Sequence, residues 1–511
     1  DEAPAAAPRF AVLEYQIEGN TVLQPVAIER AVTPFLGPGR SLADIQAARA
    51  ALEKTYQDAG YLTVAVDVPE QKIGPDGVVR LRVVEGKVDR LRITGAQHTL
   101  ASEVRQTASA VREGEVPYFP DLQRQLGALS ATPDRQVAPL LRPGAVPGTV
   151  EVELAVDDKP ALHGTLALNN KQSPQTEPGR IEAIAHYDNL FQARHSFGLG
   201  YIANPRARDE TEVLLANYAA PLGNDGRALA LNYLRSNSNL PTSAAGGGLV
   251  IGKGDVFGLR YAQPLPARAG VFHMLSLGFD WKNFKETQHL LDTDFDSPIR
   301  YLPFQIGYNA SLTDGPVQWR WDLSLSFASA SILRRDLPEP CDAVALDGTG
   351  YNYRLITDQF ECKRAGASGS FSVLRGALAR SQRFENGWGL DAALDWQYAN
   401  EPLISNEQFA VGGVDSVRGY LESEASGDRG ARLQLQLNTP DLWPFGGAAQ
   451  WRWGVFFDAA HTELVDALAG EIPTRGLRSA GLATELQLGR DLKFNLSIAE
   501  ALAPAATTRR H

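Results

Sequence analysis

The segment LDAALDWQ (390–397) alternates apolar and polar side chains with a period of two. Its apolar positions share one face of an extended chain and its acids share the other: Leu390, Ala392, Leu394 and Trp396 against Asp391 and Asp395. This alternation is typical of a β-strand whose two faces meet different surroundings. From about residue 161 onward the same pattern recurs, for example in RWDLSLSF (320–327), RLQLQLN (432–438) and KFNLSIA (493–499).

Alternation alone fits both a soluble β-sandwich and a membrane barrel, because the apolar face can meet a core or lipid. The connections between the strands favour the barrel, since long and short ones alternate. The long ones lie near 171–179, 238–254, 288–298, 333–364, 400–428 and 462–476, and the short ones near 221–226, 264–270, 313–316 and 384–387. Only the connection near 204–209 breaks the alternation. One long-looped rim and one short-turned rim indicate an antiparallel transmembrane β-barrel over residues 161–511.

Fifteen strands can be counted in this part, the last near 492–500. A closed bacterial barrel of this kind has an even number of strands. We therefore expect a barrel of 16 strands whose last strand is missing from this sequence, or a count that is wrong by one.

Residues 9–158 follow a different pattern, and they divide into two similar units at 9–86 and 87–158. Gly19 and Gly95 end equivalent predicted strands, FAVLEYQIEG (10–19) and VDRLRITG (88–95), and lie 76 residues apart. Each unit is predicted to run β-α-α-β-β, a small sheet with helices on one face. The exposed edge of such a sheet can accept an extended peptide as an added strand.

The second helix of the first unit has a predicted start and a predicted buried face. Ser41 and Asp44 have the spacing of a capping box. Apolar residues at helical spacing predict the buried face: Leu42, Ile45, Ala48, Leu52 and Tyr56.

The composition narrows the compartment and the partners. The net charge of −11 and the lack of a basic block argue against nucleic acid as a binding partner. Residues 1–8 read as the start of a mature exported protein whose signal peptide has been removed.

Cys341 and Cys362, 21 residues apart, are the only cysteines. We expect them to form a disulfide across one loop, and two unpaired thiols remain the alternative.

Two segments imitate binding motifs and fail in detail. Gly247, Gly252 and Lys253 lack the following hydroxyl residue of a phosphate loop, and the next segment is predicted to be a strand. Asp292, Asp294 and Asp296 begin like a calcium loop that then lacks its glycine and its final acid, so a loose calcium site or a solvated acidic loop remains. No cofactor, no metal and no catalytic set is expected, and we do not predict an enzyme.

An arginine between glycines, in GGVDSVRGYLES (412–423), lies in the long loop 400–428. A charge held inside a structure needs a partner. Asp458, 40 residues further on in GVFFDAA (454–460), falls on the strand face predicted to point into the barrel. The residues alone leave two possibilities, a contact between Arg418 and Asp458 or a solvated arginine and a separate acid.

The chain resembles the two-partner secretion transporters, the haemolysin secretion/activation family within the superfamily of outer-membrane barrels with POTRA domains. The resemblance rests on VRGY (Val417, Arg418, Gly419 and Tyr420), on the acidic strand motif around Asp458, on the repeated units and on the loop alternation. It implies that loop 400–428 folds into the lumen and that Arg418 contacts Asp458 there. It also implies two periplasmic POTRA domains and a barrel in the outer membrane.

The resemblance further implies a function. Such a protein is expected to take an unfolded exoprotein from the periplasm to the cell surface, as a monomer in outer-membrane lipid. A barrel-assembly insertase and a passive porin with accessory domains are the alternatives. Family members often carry an N-terminal plug helix, which we expect to be absent or to lie outside this chain.

Overall fold

The computed structural model describes residues 9–505 with short exceptions: 131, 133, 175, 224, 238–239, 243–248, 252, 267–269, 286, 291–292, 297, 334–335, 347–350, 444–448 and 469. In parts of the long loops only the backbone is described: 240–242, 249–251, 287–290, 293–296, 336, 338–346 and 351–355. The chain divides into two compact units, one of residues up to 161 with 191–193, and one of residues 162–190 with 194 onward.

The first unit contains two small sheets with their helices. Its first half comprises β1 (Phe10–Val12), β2 (Glu14–Glu18), α1 (Pro25–Val32), β3 (Gly37–Arg40), α2 (Leu42–Asp58), β4 (Val64–Asp67) and β5 (Val78–Glu85). Its second half comprises β6 (Lys87–Thr94), α3 (Ala101–Thr107), α4 (Phe119–Leu129), β7 (Arg135–Pro143) and β8 (Thr149–Asp158). Among the described residues, no helix combines the length and the apolar composition needed to cross a membrane.

Both halves have one topology, in the predicted β-α-α-β-β order. The sheets run β2-β5-β4 and β6-β8-β7. In each, the first strand lies parallel to the central strand and the third lies antiparallel to it. The single strand expected at 10–19 is in fact two, because β1 pairs with β3 whereas β2 pairs with β5.

Helix α2 confirms the predicted capping box and corrects the predicted buried face. The Ser41 hydroxyl accepts from the Asp44 N–H at 3.3 Å, and the Asp44 carboxylate accepts from the Ser41 N–H at 2.8 Å. The hydrogen bond from the Ser41 backbone, and then that from its hydroxyl, hold the pKa of Asp44 below its usual value. Leu42 is 58% exposed, so its assignment to the core was wrong: the buried stripe begins one turn later, at Ile45.

Gly19 and Gly95 have the same structural role in the two halves of the first unit. Both have positive φ angles, +91° and +79°. A Cβ at Gly19 would lie 2.3 Å from the carbonyl oxygen of Val83, and one at Gly95 would lie 2.3 Å from that of Val156. Only glycine allows this approach of the backbones without strain, so the 76-residue spacing marks equivalent positions.

The second unit is a sheet of 16 strands in which all neighbours are antiparallel. Fifteen follow one another along its path: β9 (Leu162–Asn169), β10 (Arg180–Leu190), β11 (His195–Ala203), β12 (Glu212–Pro221), β13 (Ala228–Ser236), β16 (Gly254–Pro264), β17 (Val271–Phe284), β21 (Phe304–Asp314), β22 (Val317–Phe327), β25 (Ser372–Arg383), β26 (Gly389–Ala399), β29 (Arg429–Asn438), β30 (Gln450–Glu463), β31 (Thr474–Leu488) and β32 (Leu492–Ala501). The sixteenth, β20 (Ile299–Tyr301), lies beside β17.

The count of fifteen strands in sequence therefore agrees with the path of the sheet. Strands β9 and β32 form its two ends, and within the described residues each pairs with one neighbour only. The sixteenth strand of the sheet is a short segment inside a long connection and not a strand that follows β32.

The long connections carry local elements of their own. They are the hairpins β14 (Leu240–Thr242) with β15 (Leu249–Ile251), β18 (Thr287–Leu290) with β19 (Thr293–Asp296), β23 (Asp336–Leu346) with β24 (Tyr351–Asp358), and β27 (Phe409–Val411) with β28 (Ala425–Gly427), and the helix α5 (Gln359–Lys363). Short connections such as 315–316 alternate with long ones over most of the sheet, as predicted. The connection 439–449 between β29 and β30 departs from this alternation, because it is longer than the next one, 464–473.

The faces of the sheet follow the alternation in the sequence. Large apolar side chains are exposed on the outer face, among them Leu323, Leu394, Val455, Phe494 and Ile498. Polar side chains lie on the inner face, where Arg432 of β29 contacts Asp395 of β26 at 2.8 Å. An apolar outside and a polar inside make this sheet a transmembrane β-barrel.

We predict opposite effects for two glycine substitutions in the second half of the first unit. Gly95→Ala should destabilise this half by about 1–3 kcal/mol, because a Cβ there meets a backbone carbonyl at positive φ. Gly127→Ala should stabilise it by roughly 0.5–1 kcal/mol, because Gly127 lies in α4 with nothing within 4 Å of its Cβ position. Hydrogen exchange of the β8 amides in the detergent-solubilised chain measures both effects, and similar protection in the two variants would refute the assigned role of Gly95.

Candidate functional site

The connection between β26 and β29, residues 400–428, folds inside the barrel, and we call it the lumenal loop. Strands β27 and β28 pair Phe409 with Gly427 and Val411 with Ala425. This hairpin, with the residues from Leu403 to Gln408 and Asp428, is the loop root, and residues 412–424 are the loop tip. Most of the lumenal loop is buried, as an element surrounded by the sheet must be.

Arg418 in the loop tip meets Asp458 on β30. Its Nε lies 2.8 Å from Asp458 Oδ2 and its Nη2 lies 2.8 Å from Oδ1, a bidentate pair. The Arg418 backbone N–H also donates to Oδ2, at 3.1 Å. The carboxylate is fully buried and the arginine side chain is 11% exposed. The two charges compensate each other where neither is well solvated.

Two further residues complete the surroundings of the guanidinium. Nη1 of Arg418 donates to Gln436 Oε1 at 2.6 Å, and the guanidinium carbon lies 3.4 Å from the centre of the Phe456 ring. On β30 the alternation places Phe456 and Asp458 inward, while Val455 and Phe457 are exposed on the outer face. The arginine is thus fixed by a carboxylate, an amide and an aromatic face.

The neighbours of Arg418 fix the tip in the same position. Val417 is fully buried in an apolar cluster. Gly419 has φ +90°, and a Cβ there would lie 3.0 Å from Cβ of Ala499 on β32. The hydroxyl of Tyr420 lies 2.8 Å from the Arg478 carbonyl oxygen and 2.7 Å from that of Ala503. All four residues of the VRGY segment therefore pack against the inner wall.

The tip also contacts the other end of the strand path. Lys171, in the connection after β9, pairs with Asp415 at 3.0 Å. The N–H of Glu422 donates to the Gln172 carbonyl oxygen at 2.8 Å. The tip thus touches both ends of the strand path, near β9 and near β32.

A polar cavity of about 580 Å³ borders the tip. The tip contributes Val414 and Arg418, and the wall contributes side chains of both charges and several amides, including Arg320, Arg380, Asp391, Gln434 and Gln436. A surface of this composition can carry water and polypeptide.

Comparison with known proteins places the chain in a family. Residues 148–482 match the family described as "Haemolysin secretion/activation protein ShlB/FhaC/HecB", and residues 10–86 match "POTRA domain, ShlB-type". The first match covers more than half of the chain. The chain belongs to the haemolysin secretion/activation family.

Individual relatives agree with this assignment. The outer membrane transporter CdiB of Dickeya dadantii is 20% identical over 84% of this chain and 72% of its own length. The heme/hemopexin transporter protein HuxB of Haemophilus influenzae is 20% identical over the same shares. In structure, CdiB from Escherichia coli matches with a TM-score of 0.64 at 17% identity, over 99% of this chain and 90% of that chain. At this identity the structural likeness shows the fold alone.

Membership in the family gives the location and the activity. The barrel lies in the bacterial outer membrane and the two POTRA domains lie in the periplasm. The chain is a two-partner secretion transporter, and this assignment favours the secretion pore over the barrel-assembly insertase and the passive porin.

Two predicted sites lie partly outside the described residues. Cys362 is disulfide-bonded, and the side chain of Cys341, the only other cysteine, lies outside the described residues. Asp292 and the side chains of Asp294 and Asp296 also lie outside them.

Several residues that hold the lumenal loop escaped the sequence reasoning. Gln436 shares the inner face of β29 with Gln434 and stands opposite Phe456, so the alternation of β29 could have revealed it. Asp428 pairs with Arg364 at 2.5 Å and accepts the N–H groups of Leu403 and Val465. Asp428 lies where no periodicity exists, and the sequence carries no signal for it.

We predict that Arg418→Ala and Asp458→Ala impair secretion to a similar extent. Each substitution leaves one buried charge unpaired, which costs about 3–5 kcal/mol. The double variant should be little worse than either single variant, so the coupling energy in the unfolding of the inserted barrel should be about as large as the loss in one single variant. Arg432→Ala, which breaks the wall pair with Asp395, is the control and should leave secretion closer to normal. Additive losses for Arg418 and Asp458 would refute direct coupling.

Proposed function

We propose that this transporter accepts an unfolded exoprotein at its POTRA domains and passes it through the barrel once the lumenal loop tip has left Asp458. The observation that carries the proposal is the bidentate contact of Arg418 with Asp458. It holds a loop inside the bore through a small number of groups. A plug held in this way can be released without unfolding the barrel.

The POTRA sheets offer a suitable first contact. Strands β4 and β7 are edge strands, each paired with one neighbour among the described residues. Leu140 and Leu141 on β7 are large apolar side chains exposed to solvent. Pairing along a strand edge uses backbone hydrogen bonds, so it accepts cargo of varied sequence.

We propose that the chain transports protein and does not catalyse a reaction. Its partner is the exoprotein. Cargo that folds outside the cell cannot return, which makes its folding the source of direction without a nucleotide. One barrel in outer-membrane lipid suffices for this scheme, so we propose a monomer. We expect the exoprotein to be large and repeat-rich and to be encoded in the reading frame beside this one.

Deletion of residues 9–158 should abolish secretion of the co-expressed exoprotein and leave a barrel in the outer membrane. The expected loss follows because the deleted part supplies the strand edges that receive the cargo. Secretion is measured as exoprotein in the medium, and heat-dependent gel mobility verifies the inserted barrel. Undiminished secretion would contradict the proposed docking. Barrel precursors, and not the exoprotein, cross-linked to the POTRA domains would favour the insertase.

Arg418→Ala should also raise the ion conductance of the barrel in planar lipid bilayers, by roughly twofold or more. The reason is that the tip then leaves a bore that it partly fills. The control, Arg432→Ala, should conduct like the native chain. Equal conductance of the native and Arg418→Ala barrels would support the passive porin, since the loop would then not obstruct the bore.

A further inference from the structure

A second charged cluster holds the loop root and is separate from the VRGY contact. Glu407, in the turn Ser405–Glu407, is 1% exposed. Its Oε1 accepts from Lys282 Nζ at 2.5 Å and from the Tyr301 hydroxyl at 2.7 Å. Its Oε2 accepts from Arg375 Nη2 at 3.1 Å. One buried carboxylate thus gathers three donors from β17, β20 and β25.

The backbone of Glu407 is tied to the same wall. Its carbonyl oxygen accepts from Arg375 Nη2 at 3.2 Å and from Gln397 Nε2 at 3.0 Å. Glu407 therefore connects four strands of the sheet to the start of the lumenal loop. On the far side of the root hairpin, Asp428 makes its own pair with Arg364. Both strands of the hairpin are anchored by buried charges.

The charge balance of the Glu407 cluster makes it hard to release. Lys282, Arg375 and Glu407 carry two positive charges and one negative charge in a buried place. Among the described residues no other carboxylate pairs with Lys282 or Arg375, so departure of Glu407 would leave both cations uncompensated in a poorly solvated position. The contact at Arg418 is different, because its release separates one cation from one anion and leaves a single charge, Asp458, on the wall.

The boundary between root and tip is marked in the backbone. Gly412 and Gly413 have φ angles of +114° and +94°, and Ser423 on the returning side has +58°. A Cβ at Gly412 would lie 2.4 Å from the Leu421 carbonyl oxygen, and one at Gly413 would lie within 2.1–2.3 Å of the Glu422 carboxyl group. The chain changes direction on both sides at the same level, immediately above the β27–β28 pairing.

We propose that Glu407 is a positioning residue that keeps the loop root on the wall and thereby sets Arg418 opposite Asp458. The tip, residues 412–424, then moves about this boundary while the root stays in place. The inference deepens the proposed secretion function and rests on it only for the statement that the tip moves during transport. The anchoring by itself requires no cargo.

The test compares two introduced thiols in the purified barrel in lipid vesicles, without exoprotein. Ile404→Cys reports on the root and Val417→Cys on the tip; both side chains are almost fully buried, and they belong to different apolar clusters. Among the described residues there is no free cysteine, so a water-soluble maleimide reads the introduced thiol. Heat-dependent gel mobility shows that each variant is folded.

Arg418→Ala should speed labelling of Val417→Cys by about tenfold or more and leave Ile404→Cys within about twofold of the native rate, because only the tip opens. Glu407→Gln should speed labelling at both positions. Adding Lys282→Met to Glu407→Gln should slow the labelling again, since one uncompensated cation is removed. If Glu407 had a purely steric role, Lys282→Met would not slow the labelling. Arg432→Ala should alter neither rate.

Two results would overturn the proposal: faster labelling of Ile404→Cys in Arg418→Ala, or a protected Ile404→Cys in Glu407→Gln. If Glu407→Gln does not insert, Glu407→Asp replaces it. Its shorter side chain cannot satisfy all three donors, so both thiols should react at intermediate rates, and full protection would contradict the proposal. Because labelling needs no cargo, failure here is distinct from failure of the secretion hypothesis, which the exoprotein assay tests.

Discussion

The structure of the barrel interior depends on the compensation of charge where water is scarce. A guanidinium inside a membrane barrel must find an anion or remain costly, and Asp458 supplies one with two parallel hydrogen bonds to Arg418. That requirement explains why a glycine follows the arginine, because Gly419 lets the backbone come close to β32. It also explains why an acid, Asp458, occupies an inward position of β30 two residues after Phe456. The loop, the strand and their spacing form one constraint.

The lumenal loop has two kinds of hold on the wall. The tip contacts both ends of the strand path, through Asp415 with Lys171 and through Tyr420 with the segment after β32. The root is held by carboxylates that each serve several donors. The POTRA domains also depend on a few close contacts, because Gly19 and Gly95 allow the same approach to a backbone carbonyl in both halves. A small set of backbone and charge contacts therefore fixes the parts of the molecule that cargo must pass.

Much of the barrel could be predicted from the sequence, since period-two alternation and loop length are local properties of a single chain. They gave fifteen barrel strands and the orientation of β30, and helical spacing gave the capping box at Ser41. The first strand was expected to be continuous and is divided, because pairing partners are set by tertiary structure. Leu42 looked like part of a buried stripe and is not. Glu407 and Asp428 could not be found, because a loop has no period and their partners lie far away in the chain.

The inner wall has a consequence for what can permeate. Arginines, an aspartate and glutamines share one cavity surface. A positively or negatively charged segment of the cargo therefore meets both an attracting and a repelling side chain close together. Such a mixed lining favours neither sign of charge. Discrimination between cargos must then occur before the bore is reached, at the domains that first receive the polypeptide, while the conduit itself stays indifferent to composition.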